Sequence, residues 1–263
     1  MQPTLDIAGL TLQTFGLMFA LAFLLAGALV GRRLVERGLP ADWAYEMIFA
    51  AIVGGLVGAR IYFIIENYAS VKSDLIGNLF SGSGLVWYGG AIGGALAVFA
   101  WAAWRRTLNL ELLDTASPGL AVGYAIGRIG CQLSGAGDYG IRSSLPWAMG
   151  YPHGTLPTPP GVQVQPTPIY ETLAMGLVAL WLWRKREHFA PGLLFASYLV
   201  ASGIERLLIE FIRRNHEVLA GLTGPQLESI FAAVAGALWL TYAAKQGTLR
   251  SAASTPAAQA RSG

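Results

Sequence analysis

Long apolar stretches alternate with short polar segments along the whole chain. Seven of these stretches approach the roughly 20 apolar residues that a helix needs to cross a bilayer. The pattern predicts an all-α membrane protein, a seven-transmembrane-helix bundle. The predicted spans are 10–31, 43–65, 84–104, 116–134, 168–183, 191–212 and 225–244.

Basic residues are unequally distributed between the segments that connect these spans. Eleven follow spans one, three, five and seven, and four lie in the alternate segments. Because cytoplasmic loops are enriched in Lys and Arg, we expect the amino terminus outside and the carboxyl terminus in the cytoplasm. The eleven are Arg32, Arg33, Arg37, Arg105, Arg106, Arg184, Lys185, Arg186, Lys245, Arg250 and Arg261; the four are Lys72, Arg142, Arg213 and Arg214.

Composition supports this class. Of the 263 residues 54% are hydrophobic and 13% are charged, whereas a soluble domain is about 25% charged. The single cysteine, Cys131, excludes an internal disulfide. The three histidines fall in predicted loops, so we expect no metal and no other cofactor. The net charge of +3 gives no reason to expect nucleic acid as a partner.

The hydrophobic stretches run from end to end without a soluble block, which predicts one membrane domain over 1–246. Prolines in 135–167 rule out a continuous helix there, so this segment is expected to form an extended outer loop between spans four and five. The small, polar residues of 247–263 predict a disordered cytoplasmic tail.

Glycines recur at helical spacing in three of the predicted spans. Gly54 and Gly58 are four residues apart, and "YGGAIGGA" repeats that spacing twice, with Gly89/Gly93 and Gly90/Gly94; "GYAIGRIG" contains Gly123, Gly127 and Gly130. Small residues four apart allow membrane helices to pack closely. The alternative is a glycine wall that allows a polar headgroup to approach the backbone.

Several charged residues lie within the predicted spans, where a charge costs roughly 2.5–3.5 kcal/mol on insertion scales. Arg206 and Glu210 are four apart and share a helix face, whereas Glu205 points elsewhere. An internal ion pair is one interpretation, but it leaves Arg128 and Arg60 without partners. Arg60 either extends to a headgroup or lines the same cavity.

The predicted outer half of the bundle concentrates arginines, which bind phosphate in bidentate geometry. Arg128, Arg206, Arg213 and Arg214 are expected near one another, with Glu210 and Asp138 as counter-charges. An anionic ligand from the lipid phase, a phospholipid headgroup, fits this pattern. Tyr170 and Glu171 add polar groups at the entrance of span five, although a glutamate there also favours the start of a helix. All of these residues lie in three segments of the chain, "GRIGCQLSGAGDYG", "PTPIYETL" and "ERLLIEFIRR".

These segments, in their order, resemble the prolipoprotein diacylglyceryl transferase family over roughly 12–235. The matching segments are "FGLM", "GARIYF", "YGGAIGG", "GRIGCQLSGAGDYG", "PTPIYE", "ERLLIEFIRR" and "LTGPQLESI". The resemblance implies an enzyme of the bacterial inner membrane. It would transfer the diacylglyceryl group of phosphatidylglycerol to the cysteine thiol of a preprolipoprotein, releasing glycerol phosphate and forming a thioether.

The resemblance also implies roles for individual residues. Arg128 and Arg206 would hold the phosphate and stabilise the leaving group. Glu210 would orient Arg206 or take part in the headgroup network, and Gly89 and Gly90 would form a close wall. Further substrate-binding residues would be Arg60, Gly127, Gly130, Cys131, Asp138, Tyr170, Glu171 and Arg213. The attacking thiolate belongs to the substrate, so Cys131 need not be a nucleophile.

The chain departs from the family pattern at several positions. Where many members have a histidine before the paired glycines it has Tyr88, which becomes the candidate base, and an asparagine is replaced by Cys131. Phe15 and Gln165 replace a tyrosine and a histidine. Two alternatives therefore remain: a divergent paralogue with another acceptor, and a phospholipid-binding or transport protein without enzymatic activity.

Overall fold

A computed structural model describes residues 1–7, 9–71 and 86–249. Lys72, the first two residues of the third predicted span, and the predicted tail from residue 250 onwards lie outside the described residues. Seven long helices correspond to the seven predicted spans, and a helix of 4 residues follows the second. In chain order they are α1 (Thr14–Glu36), α2 (Trp43–Glu66), α3 (Tyr68–Val71), α4 (Trp87–Trp104), α5 (Leu110–Ser134), α6 (Thr167–Lys185), α7 (Leu193–Glu210) and α8 (Gly224–Lys245).

Three of the described helices, α1, α2 and α8, are long and apolar enough to cross a bilayer, and α4 is a shorter apolar helix. Large hydrophobic side chains on the outside of these helices are exposed, for example Leu24 at 64%, Phe49 at 70% and Phe231 at 76%. Such surface is stable against lipid rather than water. The chain is therefore a helical membrane protein.

Two short hairpins correct the expectation of a purely helical chain. β1 (Thr4–Ile7) pairs antiparallel with β2 (Leu10–Gln13), so the first helix begins at Thr14 rather than at residue 10. The segments TLDI and LTLQ alternate polar and apolar residues, which favours strands over a helix. After α7, β3 (Glu217–Leu219) pairs with β4 (Leu222–Thr223).

The described residues form two compact units. One combines Met1–Leu29 with the described residues from Leu113 onwards, and the other lies within Val30–Leu112. In the second unit, α2 packs closely against α4 because glycines face each other. A Cβ at Gly93 would lie 2.7 Å from the Cα of Gly58 and would also collide with the backbone oxygen of Gly54. The helix-packing interpretation therefore accounts for these glycines. The single domain over 1–246 stays a prediction.

In the first unit, three helix starts position the charged side chains described below. α6 begins just after Pro166, with a second proline in its first turn. Asp114 accepts hydrogen bonds from the backbone N–H groups of Gly192 and Phe195 at 2.7 and 2.8 Å, which fixes the start of α7. α8 begins with a capping box between Thr223 and Gln226. Such caps satisfy backbone donors that a helix start leaves free.

The segment 135–167 lacks a continuous helix, as predicted, but it is compact. The rings of Tyr139 and Tyr151 stack at 4.7 Å, and both pack with Val164 in a small core. Val164 also forms backbone bridges with Arg142 and Met149. The backbone N–H of Gly140, shortly after α5, donates a 2.8 Å hydrogen bond to the backbone oxygen of Gln165, shortly before α6. The two ends of the segment therefore lie close together.

Candidate functional site

The carboxylate of Glu171 is the centre of a buried cluster of charged side chains. Glu171 lies near the start of α6 and is completely buried. Its Oε1 lies 3.0 Å from Arg206 Nη1 and 3.2 Å from Arg128 Nε, and its Oε2 lies 3.5 Å from Arg213 Nη1. The Tyr124 hydroxyl donates to Oε1 at 2.9 Å. A buried carboxylate is stable when it is paired and hydrogen-bonded, and Glu171 has such contacts with three guanidinium groups and a phenol.

Arg128 lies on α5, one turn after Tyr124. Its Nη2 donates to the Tyr124 hydroxyl at 3.3 Å, and its Cζ lies 4.9 Å from the centroid of that ring. Its Nη1 lies 3.6 Å from Oδ1 of Asp138 and 4.0 Å from the sulfur of Cys131. The cation that the sequence places in an apolar helix is thus compensated by two carboxylates and a phenol.

Arg206 and Glu210 form the ion pair that their spacing on α7 predicts. Arg206 Nη2 lies 3.0 Å from Glu210 Oε2. The other oxygen of Glu210 accepts hydrogen bonds from Thr223 Oγ1 at 2.7 Å and from Asn215 Nδ2 at 2.5 Å. Glu210 is therefore fixed by groups beyond its own helix, and its fixed carboxylate in turn orients Arg206.

Arg213 lies just after α7 and pairs with Asp138 in the segment between α5 and α6. Burial alone would raise the pKa of Asp138, but the positive charges of Arg213 and Arg128 outweigh it and lower that pKa. The Thr167 hydroxyl donates a 2.5 Å hydrogen bond to the backbone oxygen of Asp138. The carboxylate is therefore ionised, and its backbone is tied to the start of α6.

The cluster is suited to binding an anion. Glu171 is fully buried, whereas the side chains of Arg128 and Arg206 are each 18% exposed. A guanidinium has five N–H donors, which is more than the contacts above use. The carboxylates hold the guanidinium groups in place before a ligand arrives, and such preorganised cations stabilise charge that develops on a phosphate.

Other residues that the sequence predicted to bind substrate, and that belong to the same compact unit as the cluster, lie outside it or at its edge. Tyr170 donates to Gln165 Oε1 at 2.8 Å and accepts from Trp147 Nε1 at 2.6 Å. A Cβ on Gly130 would meet Met18 Cβ at 3.0 Å, so this glycine packs against α1. By contrast, a Cβ on Gly127 would meet nothing within 4 Å. Substrate binding by these residues stays a prediction.

Arg60, Tyr88, Gly89 and Gly90 belong to the unit Val30–Leu112. Arg60 is 3% exposed and its Cζ lies 5.8 Å from the Phe63 ring centroid, so it does not extend to the surface. A Cβ on Gly90 would lie 3.5 Å from a backbone oxygen of α2, and Gly89 approaches that helix still more closely. Their roles in substrate binding, and that of Tyr88 as a base, stay predictions.

Sequence reasoning missed three members of the cluster. Tyr124 precedes Arg128 by one helical turn, a spacing that signals proximity. Nothing local marks Asn215 or Thr223 as partners of Glu210, because both follow the end of α7. Glu205, expected to point away, is buried beside the cluster.

Comparison with known proteins places the chain in a family. The model of the prolipoprotein diacylglyceryl transferase family matches residues 3–242. The chain belongs to this family. The resemblance seen in the sequence is thereby confirmed, and the match covers every residue of the arginine–carboxylate cluster.

Curated relatives match over most of their length. A protein of Leptospira interrogans is 32% identical over 245 residues, which are 83% of this chain and 76% of the relative. Proteins of Clostridium tetani and Clostridium perfringens are 30% and 33% identical, covering 90% and 89% of this chain and 95% and 91% of theirs. All three are named phosphatidylglycerol–prolipoprotein diacylglyceryl transferases, the last with the number 2.

Proposed function

We propose that this chain transfers the diacylglyceryl group of phosphatidylglycerol to the cysteine thiol of a preprolipoprotein lipobox. The products are the thioether and glycerol phosphate. The family match over 3–242 supports this reaction, and so do the names of the relatives. The single structural observation that carries it is the arrangement of three arginines around buried Glu171.

In this reaction Arg128 and Arg206 bind the phosphate of the lipid. The substrate sulfur, as thiolate, attacks the glycerol carbon that carries the phosphate. As the carbon–oxygen bond breaks, negative charge accumulates on the phosphate, and the two guanidinium groups stabilise it. Glu210 orients Arg206 through their 3.0 Å contact, while Asp138 and Glu171 position Arg128 and Arg213.

We also propose a membrane topology for the chain. The seven long helices act as seven spans in the bacterial inner membrane, with the amino terminus outside and the carboxyl terminus in the cytoplasm. The distribution of basic residues among the connecting segments supports this orientation. The segment 135–167 then lies on the outer side, where the preprolipoprotein signal peptide and phosphatidylglycerol meet.

Membership of the family also supports substrate-binding roles for Arg60, Gly89 and Gly90 of the unit Val30–Leu112. Tyr88 stands where many family members have a histidine. A tyrosine, with an ordinary pKa near 10, is a weaker base than histidine. This substitution favours one second candidate, a transferase that uses the same lipid but another acceptor.

The test is a transfer assay with purified protein, phosphatidylglycerol and a lipobox peptide containing one cysteine. Mass spectrometry should detect a diacylglyceryl adduct on the peptide thiol. Arg128→Gln and Arg206→Gln should each reduce the rate by at least about 10²-fold, the typical effect of losing one preorganised donor. Arg142→Gln, which changes an exposed arginine, is the matched control.

Full activity in either cluster variant would remove that arginine from the mechanism. No adduct, combined with retained binding of phosphatidylglycerol, would favour the transferase with another acceptor. Topology is tested separately, by attaching a reporter of periplasmic or cytoplasmic location to each terminus. An amino terminus in the cytoplasm would contradict the proposed orientation.

A further inference from the structure

Glu205 is a buried carboxyl group that the arginine cluster does not pair. It lies on α7 directly before Arg206 and is 8% exposed. Neither of its side-chain oxygens has a hydrogen-bond partner among the described residues. The carboxylates of Glu171, Asp138 and Glu210, by contrast, each contact at least one guanidinium group.

The surroundings of Glu205 link it to the cluster. Glu205 directly precedes Arg206 on α7, and the charges of Arg128, Glu171 and Arg206 lie near enough to influence its carboxyl group electrostatically, as does the hydroxyl of Tyr124. The Tyr124 hydroxyl lies beside it but directs its proton to Glu171 at 2.9 Å. The Tyr124 oxygen accepts a hydrogen bond from Arg128 at 3.3 Å, and its second lone pair can accept a proton held by Glu205.

Charge balance indicates which carboxyl group holds a proton. Three arginines face the three paired carboxylates of Asp138, Glu171 and Glu210, so the charges of the pairs cancel. A fourth carboxylate in the same buried region would be an ion without a bonded counter-charge, which is costly. Protonation of Glu205 would avoid that cost.

We propose that Glu205 supplies, through the hydroxyl of Tyr124, the proton that the departing phosphate takes up. This inference rests on the proposed transferase function. Tyr124 is already bonded to Arg128 at 3.3 Å, the residue proposed to bind the phosphate. Once lipid phosphate occupies that guanidinium, the hydroxyl can donate to a phosphate oxygen and recover its proton from Glu205.

The step balances without any further reactant. The substrate sulfur bonds to the glycerol carbon, the bond from that carbon to the phosphate oxygen breaks, and the electron pair goes to the oxygen. The Tyr124 proton passes to the phosphate, and the Glu205 proton passes to Tyr124. The proton that the thiol loses on forming the thiolate passes to solvent, and Glu205 takes up a proton from solvent after the step, so the net change is one proton moved from sulfur to phosphate.

The test compares Glu205→Gln with Glu205→Asp in the lipobox transfer assay. Glutamine matches neutral Glu205 in shape and charge, so the fold should persist, but it cannot donate a carboxylic proton. We expect the rate at saturating lipid to fall about 10²-fold, the lower end of what general acid catalysis contributes. Tyr124→Phe should cause a similar loss, and Glu205→Asp should restore part of the rate.

Two measurements separate proton donation from a structural role. The unmodified protein should lose activity at high pH as Glu205 loses its proton, and the glutamine variant should lack that decline. In a phosphatidylglycerol analogue with sulfur between the glycerol carbon and phosphorus, the leaving group is a thiophosphate, which needs a proton less than a phosphate does. This analogue should therefore restore the rate of Glu205→Gln. Glu217→Gln, an exposed position on β3, is the control.

An unchanged rate and pH profile in Glu205→Gln would overturn this inference. So would an equal loss with both the oxygen and the sulfur lipid, because that result would indicate a structural defect. Failure of the unmodified protein to form any adduct would refute the proposed transferase function itself, and the inference with it. The two failures are thus distinguished by the activity of the unmodified protein.

Discussion

Replacing Glu171 by glutamine removes the negative charge at the centre of the arginine cluster and keeps the shape of the side chain. The carboxylate contacts Arg206 at 3.0 Å, Arg128 at 3.2 Å and Arg213 at 3.5 Å. An amide retains one acceptor oxygen but places an N–H₂ group against guanidinium donors. We therefore expect Glu171→Gln to destabilise the fold.

The expected loss of stability depends on which carboxylate partners the three arginines keep in Glu171→Gln. Removing one partner of a buried ion pair costs about 3–5 kcal/mol. Arg206 keeps Glu210 at 3.0 Å, and Arg128 and Arg213 keep Asp138, so we expect the lower end, about 3 kcal/mol. At about 2–4 °C per kcal/mol for a chain of roughly this length, the melting temperature should fall by about 6–12 °C.

The chain provides its own reporter for this measurement. Cys131 is its single cysteine and is 8% exposed, so a thiol-reactive dye should label it only on unfolding. Melting curves in one detergent would compare the unmodified protein, Glu171→Gln and the control Glu217→Gln. A melting temperature of Glu171→Gln equal to that of the control would refute the idea that Glu171 organises the cluster.

Three further predictions concern single residues. Cys131→Ser should retain transferase activity, because the substrate supplies the thiol; loss of turnover in the lipobox assay would implicate Cys131 in the chemistry. Gly93→Ala should cost about 1–3 kcal/mol through overpacking between α2 and α4, whereas Gly176→Ala should not, because a Cβ there meets nothing within 4 Å; tryptophan fluorescence during thermal unfolding would compare the two. Asp138 has a lowered pKa in the folded state, so its stabilising effect should be complete above the ordinary value of about 3.9 and disappear as pH falls through the lower, folded value. The stability difference between the unmodified protein and Asp138→Asn should therefore narrow in strongly acidic buffer, and a constant difference would contradict this.

The sequence was sufficient for the features that depend on neighbours along the chain. Apolar stretches located the seven long helices, and the largest errors were at their ends, where α5 begins at Leu110 rather than 116. Spacing of four residues predicted the contact between Arg206 and Glu210 on one helix. Ordered motifs also identified the family, since the match covers 3–242.

Only the tertiary structure determined which charges meet across helices. From the sequence, Glu171 could be either a polar group of the site or a glutamate that favours the start of a helix. It is the centre of the cluster because α6 places it against Arg128 of α5 and Arg206 of α7. Sequence spacing cannot supply such contacts, because they depend on how helices pack and rotate against one another. For the same reason, only the tertiary structure shows that Glu205 has no hydrogen-bond partner among the described residues, since the cations around it pair with other carboxylates.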